Sequence, residues 1–556
     1  MKRIVSLLLV LVLALSAAAL AEGAYPSYLN LDSQIPVVKE GEEAPTLRMI
    51  LQRRVGGSEW EQLWIAKYIA TYLNVKLEVE MVDNAEALAE RKTLMFAGGD
   101  LPDLIMNMDL STNDIITYGQ MNGQLLKMDE YISEELTPNM VKWFEENPAA
   151  KATATTPDGH IYTLPKMMAV DNEGDLRRLF INTAWLEEIG MEAPATLDEL
   201  LAVLRAMKEK HPDSAPLNGA IDEQNPGYFI LNAMGFVSRD TRMSGYGLAP
   251  ATKDGSFALP CATEEFREYL TIMHDLYQEG ILMKNFFLAE KTEVDAKVLN
   301  NETAVVTGAP YAYGIDTWDL WQAVSPLTSA QNATPVVNQP SAASVGGFAI
   351  STTTEYPELC MRFADVFFSH DYVARMMWIG PKDGSEEALG YAGNVASEGG
   401  EGWTFPEENY PENCSGLWDW LVGYVSFYAN FRSNDTPKTI NAYAPDYLGG
   451  AELPYKQFDL TNGDQFYRAS VWEKVWPYVT EYTFPTTYYL DEDTALRMTD
   501  LETVIEPYVK EQVALFINGT RPLDEFDAFQ SELKAMDIDC LIEIYQGIWE
   551  PYKAAL

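Results

Sequence analysis

The first part of the chain after the N-terminal segment constrains the fold most, because strand and helix patterns alternate along it. Thr46–Gln52 (TLRMILQ), Val75–Val82 (VKLEVEMV) and Leu104–Met106 have the composition or the alternation of strands. Apolar residues recur at helical spacing over residues 60–73 and 85–96. This strand–helix–strand–helix–strand order is typical of a parallel sheet with crossover helices. The sequence therefore predicts an α/β fold.

The N-terminus predicts secretion. Lys2 and Arg3 precede the almost wholly apolar run Ile4–Leu15, and Ala19–Ala21 offers the small residues that a signal peptidase recognises. The apolar run is shorter than the roughly 20 residues of a membrane-spanning helix. We therefore predict a cleaved signal peptide over residues 1–21. The mature protein is expected at the extracellular face of the cell membrane or in the periplasm.

The four cysteines are Cys261, Cys360, Cys414 and Cys540, and their wide spacing matches no zinc or redox motif. Disulfides and buried unpaired thiols are both compatible with this pattern outside the cell. A bacterial lipoprotein would need a cysteine directly after the cleavage site, where Glu22 stands. How the protein would stay near a membrane is therefore open.

The charge balance excludes some partners. The 556 residues include 39 basic and 83 acidic ones, which gives a formal net charge of -44. Binding to a phosphate backbone needs clustered Lys and Arg, so nucleic acid is not an expected partner. Anionic membrane surfaces would also repel the chain. The balance favours a soluble monomer.

Other periodic segments complete the predicted elements. Thr196 and Glu199 form a capping box at the start of a helix that extends to Lys210. Further helices are predicted over residues 263–279, 356–368 and 501–517, and strands over residues 302–306 and 346–351.

Several segments, in order, resemble one protein family. They are Gly98–Leu104 (GGDLPDL), Pro157–Pro165 (PDGHIYTLP), Phe180–Asn182 followed by Trp185 and Leu186, Asn301–Ile315, and Gly346–Ser351 followed by Pro357–Leu359. Together they are similar to the extracellular carbohydrate-binding proteins of ABC importers, of the family 1 type. The nearest resemblance is to alginate-oligosaccharide-binding and maltose-binding proteins, and it covers nearly the whole chain after the signal peptide.

The resemblance implies a two-lobed, periplasmic-binding-protein-like fold with discontinuous lobes joined by hinge strands. The first lobe would comprise residues 22–165 and 306–345, and the second residues 166–305 and 346–556. An oligosaccharide would bind between the lobes, which would close on it by hinge motion. The closed protein would deliver the sugar to the transmembrane permease subunits of the importer, without a cofactor.

Candidate ligand-binding residues follow from what sugars present to a protein. Aromatic faces stack on the C–H patches of a sugar ring, and polar side chains bond its hydroxyls. Aromatic or acidic residues in loops beside predicted strands, or among glycines, are Trp60, Asp109, Tyr311, Trp318, Trp378 and Trp403. For each of them the alternative is ordinary packing or a solvated loop. Arg177 and Arg178 could serve an acidic sugar, or simply form a solvated strand edge, whereas the aromatic richness favours neutral sugars.

Signals for catalysis and for metal binding are weak. Residues 211–223, where some members of the resembled subgroup hold Ca²⁺, lack the alternating acidic ligands of a calcium loop. The sequence contains no HExxH, GxSxG or P-loop motif. We therefore predict no catalytic residue and no metal, and a binding protein rather than an enzyme. A binder of a non-sugar solute such as a peptide, or less readily a secreted glycoside hydrolase or lyase, is the alternative.

Overall fold

The structure is a computed structural model of the chain. It describes residues 25–53, 57–83, 85–146, 148–167, 176–340, 343–369, 380–381, 384–391, 395–396, 403–404, 421–426, 460 and 463–556. The predicted signal peptide, Trp378 and Cys414 lie outside the described residues.

The chain forms two compact units, and each unit is assembled from separate stretches of sequence. The first unit contains Met1–Met168 and Ala342–Ala451, and the second contains Ala169–Ser341 and Glu452–Leu556. The chain therefore passes between the units three times.

The strands are numbered in chain order. They are β1 Thr46–Gln52, β2 Lys76–Val82, β3 Leu104–Met106, β4 Leu164–Met167, β5 Leu179–Asn182, β6 Ala251–Lys253, β7 Ser256–Ala258, β8 Val305–Val306, β9 Trp321–Val324, β10 Val337–Asn338, β11 Ala343–Ile350, β12 Val395–Ala396, β13 Trp403–Thr404 and β14 Val479–Thr480. The predicted bounds of β1 and β3 are confirmed, and β2 begins one residue later than expected.

The first unit is built on a five-stranded sheet with the order β2-β1-β3-β11-β4. Strands β1, β2 and β3 are parallel, and β11 is antiparallel to both β3 and β4. The α-helices of this unit are Trp64–Tyr68, Ala85–Gly98, Thr112–Asp114, Pro138–Glu146, Pro148–Ala154 and Pro357–Asp365. Shorter helical segments are Trp60–Gln62, Ile69–Leu73, Ile115–Met121, Met128–Tyr131, Val366–Phe368, Glu386–Ala388 and Leu421–Val425.

The core of the first unit lies against this sheet. Leu47, Met49, Leu104 and Phe348 are buried on the strands, where they pack with residues of the surrounding helices such as Trp143. Burying a side chain of this size stabilises a fold by about 1.5–3 kcal/mol. The buried side chains of β1, β3 and β11 therefore hold the sheet in this core.

The second unit has a smaller sheet, with the order β8-β5-β9, in which both neighbours are antiparallel to β5. Its α-helices are Thr183–Ile189, Leu197–Lys210, Gly227–Ala233, Thr241–Ser244, Glu265–Gln278, Lys291–Leu299, Gly463–Lys474, Glu492–Asn518, Phe526–Ala535 and Ile538–Ala555. Single 3-10 turns lie at Pro260–Ala262, Pro310–Tyr313, Trp318–Leu320, Trp476–Tyr478 and Leu523–Glu525. The predicted capping box is present, since Thr196 Oγ1 accepts from the Glu199 N–H at 3.2 Å and Glu199 accepts from the Thr196 N–H at 3.1 Å.

Strand pairing divides the chain differently from the boundaries expected for the two lobes. Residues 306–345 were expected in the first lobe, but β8 and β9 pair with β5 of the second unit. Residues 346–556 were expected in the second lobe, but β11 pairs with β3 and β4 of the first unit. The cause is that the chain returns to the first unit at β11 and not at β8. The α/β fold class itself is confirmed.

No helix of the described part of the chain is both long and apolar enough to cross a membrane.

Candidate functional site

The carboxyl ends of β1, β2 and β3 share one edge of the first sheet, because the three strands are parallel and in register. Arg53 directly follows β1 and binds both Asp83, which follows β2, and Glu59. The bond from Arg53 lowers the pKa of the Asp83 carboxyl. The carboxyl ends of these strands, where ligands bind in open α/β sheets, therefore carry a network of charged side chains.

Trp60 begins the short helical segment Trp60–Gln62 after β1, and Asp109 lies in the loop that follows β3. The Trp60 side chain is 7% exposed and belongs to the core of the first unit. Asp109 is exposed, with a φ of 48° in the left-handed region, and its carbonyl accepts from Lys92 Nζ at 3.0 Å. Ligand contact by either residue stays a prediction.

The loop after β3 is held in an unusual backbone conformation. Asn107 is buried with a φ of 50°, and its N–H donates to the Gly347 carbonyl at 3.0 Å. Gly346 has a φ of 77°, and a Cβ there would lie 2.2 Å from the Leu110 carbonyl oxygen. Glycine adopts a φ in this region freely, and asparagine adopts it more readily than most other residues. The loop that presents Asp109 is therefore positioned by β11.

The second unit gathers another set of polar and aromatic residues where its sheet begins. Strands β8 and β9 run antiparallel to β5, so the segments that follow them lie beside the residues that precede β5. Arg177 and Arg178 precede β5, and Gly308 and the turn Pro310–Tyr313 follow β8. We call this set of residues, with Gln224, the arginine edge.

A hydrogen bond fixes the aromatic turn of the arginine edge. The Tyr313 hydroxyl donates to Gln224 Oε1 at 2.8 Å, and burial raises the pKa of Tyr313. A Cβ at position 308 would lie 2.3 Å from the Tyr313 hydroxyl, so the close approach requires Gly308. Gln224 itself has a φ of 51° and donates to Asp295 Oδ1 at 3.4 Å.

Of the other predicted ligand residues, Trp318 is described in full, and Tyr311 and Trp403 only in their backbone. The turn Pro310–Tyr313 contains Tyr311, whose side chain lies outside the described part of the structure. Trp318 is half-buried, with its ring 5.5 Å from that of Phe466. Trp403 lies on β13, opposite Ala396 of β12, and its side chain is not described either. None of these residues is shown to touch a ligand.

Arg177 and Arg178 are half-buried at the start of the second sheet. The Arg177 N–H donates to Asn338 Oδ1 at 3.0 Å. Arg178 donates to the Leu176 carbonyl at 2.6 Å, and its guanidinium carbon lies 5.1 Å from the centre of the Tyr467 ring. Arg178 is therefore packed against its neighbours and is not freely solvated, whereas for Arg177 a half-buried strand edge stays compatible with the alternative.

A pocket of about 480 Å³ lies at the opposite edge of the second sheet from Arg177 and Arg178, where β5 ends and β9 begins. Trp185 and Trp321 line it, together with Asn301 and Glu188. Trp185 Nε1 donates to Asn301 Oδ1 at 3.3 Å. The His211 ring lies tilted against the Trp185 ring, with 4.0 Å between the ring centres, and His211 Nε2 is bonded to Glu188 Oε2 at 2.8 Å. Sequence reasoning did not find this pocket, since its walls meet only through long-range strand pairing.

Metal and thiol chemistry finds little support in the described residues. Among them, no group of three or more His, Cys, Asp or Glu side chains could hold a metal ion. In the segment where a calcium loop was considered, Asn218 donates to the Val294 carbonyl and Asp222 accepts from the Tyr246 hydroxyl. Cys261, Cys360 and Cys540 are not in disulfides, so the described thiols follow the unpaired alternative.

A sequence model of the bacterial extracellular solute-binding protein family matches residues 53–374. The fructooligosaccharide ABC transporter substrate-binding protein FusA of Streptococcus pneumoniae is 26% identical over 223 residues, which are 38% of this chain and 40% of FusA. The polygalacturonan/rhamnogalacturonan-binding protein YtcQ of Bacillus subtilis is 24% identical over 41% of this chain and 43% of its own length. These matches thus span less than half of the curated relatives.

Solved structures match over far more of the chain. The match with an extracellular solute-binding protein from Bifidobacterium longum subsp. infantis covers 92% of this chain and 98% of that protein, with a TM-score of 0.72 and 19% identity. The match with FusA of S. pneumoniae in complex with kestose covers 92% of this chain and 100% of FusA, with a TM-score of 0.66 and 18% identity. The alginate-binding protein AlgQ2 covers 91% and 98%, with a TM-score of 0.61 and 20% identity. At these identities the likeness concerns the fold.

Proposed function

The chain belongs to the bacterial extracellular solute-binding proteins, and from this membership we propose that it is the substrate-binding component of a carbohydrate ABC importer. The membership confirms the family resemblance inferred from the ordered motifs. The observation that carries the proposal is the family match over residues 53–374, which extends through parts of both units. The sugar-binding relatives FusA, YtcQ and AlgQ2 support a carbohydrate as the solute.

The proposed mechanism is capture of an oligosaccharide by the two units, followed by closure. The chain crosses between the units three times, and a few residues at such crossings are enough to act as hinges. The proposed sugar contacts remain Trp60, Asp109, Tyr311, Trp318, Trp378 and Trp403. Rings would stack on the C–H faces of the sugar, and polar groups would bond its hydroxyls.

The remaining parts of the proposal concern location and partners. Residues 1–21 would direct secretion, and the mature protein would work outside the cell membrane as a monomer. The transmembrane permease subunits of the importer would receive the sugar from it. Because the family consists of binding proteins, we propose that the sugar leaves chemically unchanged.

A ligand screen on the purified secreted protein tests the proposal. The panel contains fructo-, gluco- and xylo-oligosaccharides, oligouronates, amino acids and short peptides, followed by thermal denaturation and titration calorimetry. A ligand at one hundred times its Kd stabilises the folded state by about 2.7 kcal/mol. We expect stoichiometric stabilisation by one glycan class and no product after incubation.

Two results would overturn the proposal. Stabilisation by peptides alone would show a binder of another solute, and consumption of a glycan would show an enzyme. The variant Trp318→Ala should weaken sugar binding at least tenfold, whereas Tyr482→Ala, which removes an exposed ring of the same unit, should leave it unchanged. Equal behaviour of the two variants would remove Trp318 from the proposed site.

A further inference from the structure

Arg177 stands out among the arginines of this acidic chain. Several others are paired with carboxylates, among them Arg48, Arg53, Arg91, Arg205, Arg267 and Arg497. The guanidinium of Arg177 has no hydrogen bond or ion pair with any residue that the structure describes, and its Nε is buried without an acceptor. Leaving a partly buried cation without a counter-charge is unfavourable.

The described residues that line the cavity beside Arg177 include a second arginine and an amide side chain, and none of them is an acid. Arg177 and Arg178 both line a cavity of about 10 Å³, whose other walls include Phe229 and the Asn232 side chain and contain no carboxylate. This volume is about that of a single water or carboxylate oxygen. An anion in this cavity would lie beside Arg177 and would be attracted by its positive charge.

Tyr228 adds a second donor without an acceptor in the same region. Its hydroxyl is fully buried and has no hydrogen-bond partner among the described residues. Burial raises the pKa of Tyr228, and the positive charge of Arg177 opposes the rise, which places the two groups within electrostatic reach. A buried hydroxyl without a partner costs about 1–3 kcal/mol. Arg177 Nε and the Tyr228 hydroxyl are therefore two buried donors without an acceptor among the described residues.

We propose that the cavity beside Arg177 is a subsite for the carboxylate of a uronic acid, and that the transported glycan is an acidic oligosaccharide recognised through Arg177. A guanidinium binds a carboxylate through two parallel N–H···O bonds, which neutral hydroxyls cannot reproduce. The surface of a chain with a net charge of -44 repels acidic solutes, so a local cation is needed to hold one. This inference rests on the proposed importer function and specifies its substrate class.

Calorimetric titration with matched glycan pairs tests the inference. The probes are oligouronates released from polygalacturonate, alginate and glucuronoxylan, each beside its methyl ester, which keeps the hydroxyls and removes the charge. Neutral fructo-, gluco- and xylo-oligosaccharides complete the set. We expect one acid to bind at least tenfold more tightly than its ester.

Three variants locate the effect. Arg177→Gln should abolish the preference of acid over ester, and Arg177→Lys should retain part of it because the charge remains. Arg205→Gln is the matched control, since Arg205 pairs with Glu279 on the surface of the same unit and its loss should not change the preference. Circular dichroism and thermal melting verify that each variant is folded, and a misfolded Gln variant leaves the Lys variant and the ester comparison as the test.

The outcomes separate the inference from the proposed function. Tight binding of a neutral glycan with no acid preference overturns the inference and leaves the importer proposal standing. An acid preference that survives Arg177→Gln overturns the assignment of the carboxylate subsite to the cavity beside Arg177. Binding of no glycan at all overturns both.

Discussion

Replacing Arg362 with methionine should destabilise the first unit by about 3–5 kcal/mol at pH 8, the usual cost of breaking a buried ion pair. Arg362 is 2% exposed and donates to the carbonyls of Asn30 at 3.1 Å, Leu136 at 3.0 Å and Ser33 at 2.7 Å. It also lies 3.4 Å from Asp365, which is 1% exposed. The variant therefore leaves one buried charge and three carbonyls without their donor.

The loss should shrink at low pH, because Asp365 can take up a proton. Burial raises the pKa of Asp365 from 3.8 to about 6 in the folded protein. Hydrogen bonds from the Met140 N–H at 2.8 Å and from Asn139 act in the opposite direction and lower it in part. The folded state thus holds the proton more tightly than the unfolded state. The contribution of Asp365 to stability is full below pH 3.8 and is lost as the pH rises through 6. A pKa difference of about two units between the folded and unfolded states corresponds to about 3 kcal/mol of stability.

Urea unfolding at pH 5 and pH 8 measures the loss of stability and its dependence on pH. Hydrogen exchange of residues 138–146 and 357–365 reports on the first unit specifically. Arg48→Met is the control, since its pair with Asp100 at 2.9 Å is exposed and is expected to contribute less than about 1 kcal/mol. A loss below 1 kcal/mol for Arg362→Met at pH 8, or an equal loss at both pH values, would refute the reasoning.

Three further outcomes are expected. Gly346→Ala should cost about 2–4 kcal/mol in thermal unfolding, since it places a Cβ against the Leu110 carbonyl at a φ of 77°; an unchanged melting temperature would contradict this. Cys261, whose pKa burial raises to about 12, should resist iodoacetamide at pH 8 while half-buried Cys540 reacts, as peptide mass mapping can show. Thr196→Ala should cost about 1 kcal/mol through the lost cap, measured by urea unfolding, and a neutral result would show that the box is redundant.

Local patterns predicted the local elements of the fold well. The bounds of β1 follow from its apolar residues, and the helix that begins after Thr196 follows from its capping box. Both signals depend on residues within a few positions of each other. The long helix Glu492–Asn518 was expected to begin only at residue 501, because its first turns carry few buried residues.

Long-range pairing was beyond the reach of these patterns. The sequence around β8 and β9 does not state that both pair with β5, so the division of the chain between the units was misplaced there. For the same reason the pocket beside Trp185 was missed. A short strand has too few residues to specify its partner.

The candidate site was predicted less well than the fold. A tryptophan in a loop beside a strand is equally suited to a core and to a ligand, and Trp60 proves to be largely buried in the core of its unit. Arg177 was noticed in the sequence, but only the structure shows that no described carboxylate pairs with it. Whether a carboxylate pairs with an arginine depends on the residues around it in space, and the spacing of residues in the sequence does not predict it.

The position of β11 inside the first sheet has a consequence for synthesis on the ribosome. Strand β11 lies between β3 and β4, yet it follows β4 in the chain only after the whole of residues 169–341. At about 5–20 residues per second, a nascent chain would wait roughly 10–35 seconds between making β4 and making the strand that joins it to the sheet. Through that interval the apolar edge of β3 is unpaired, so the emerging polypeptide depends on being kept from aggregation until its middle third has been made.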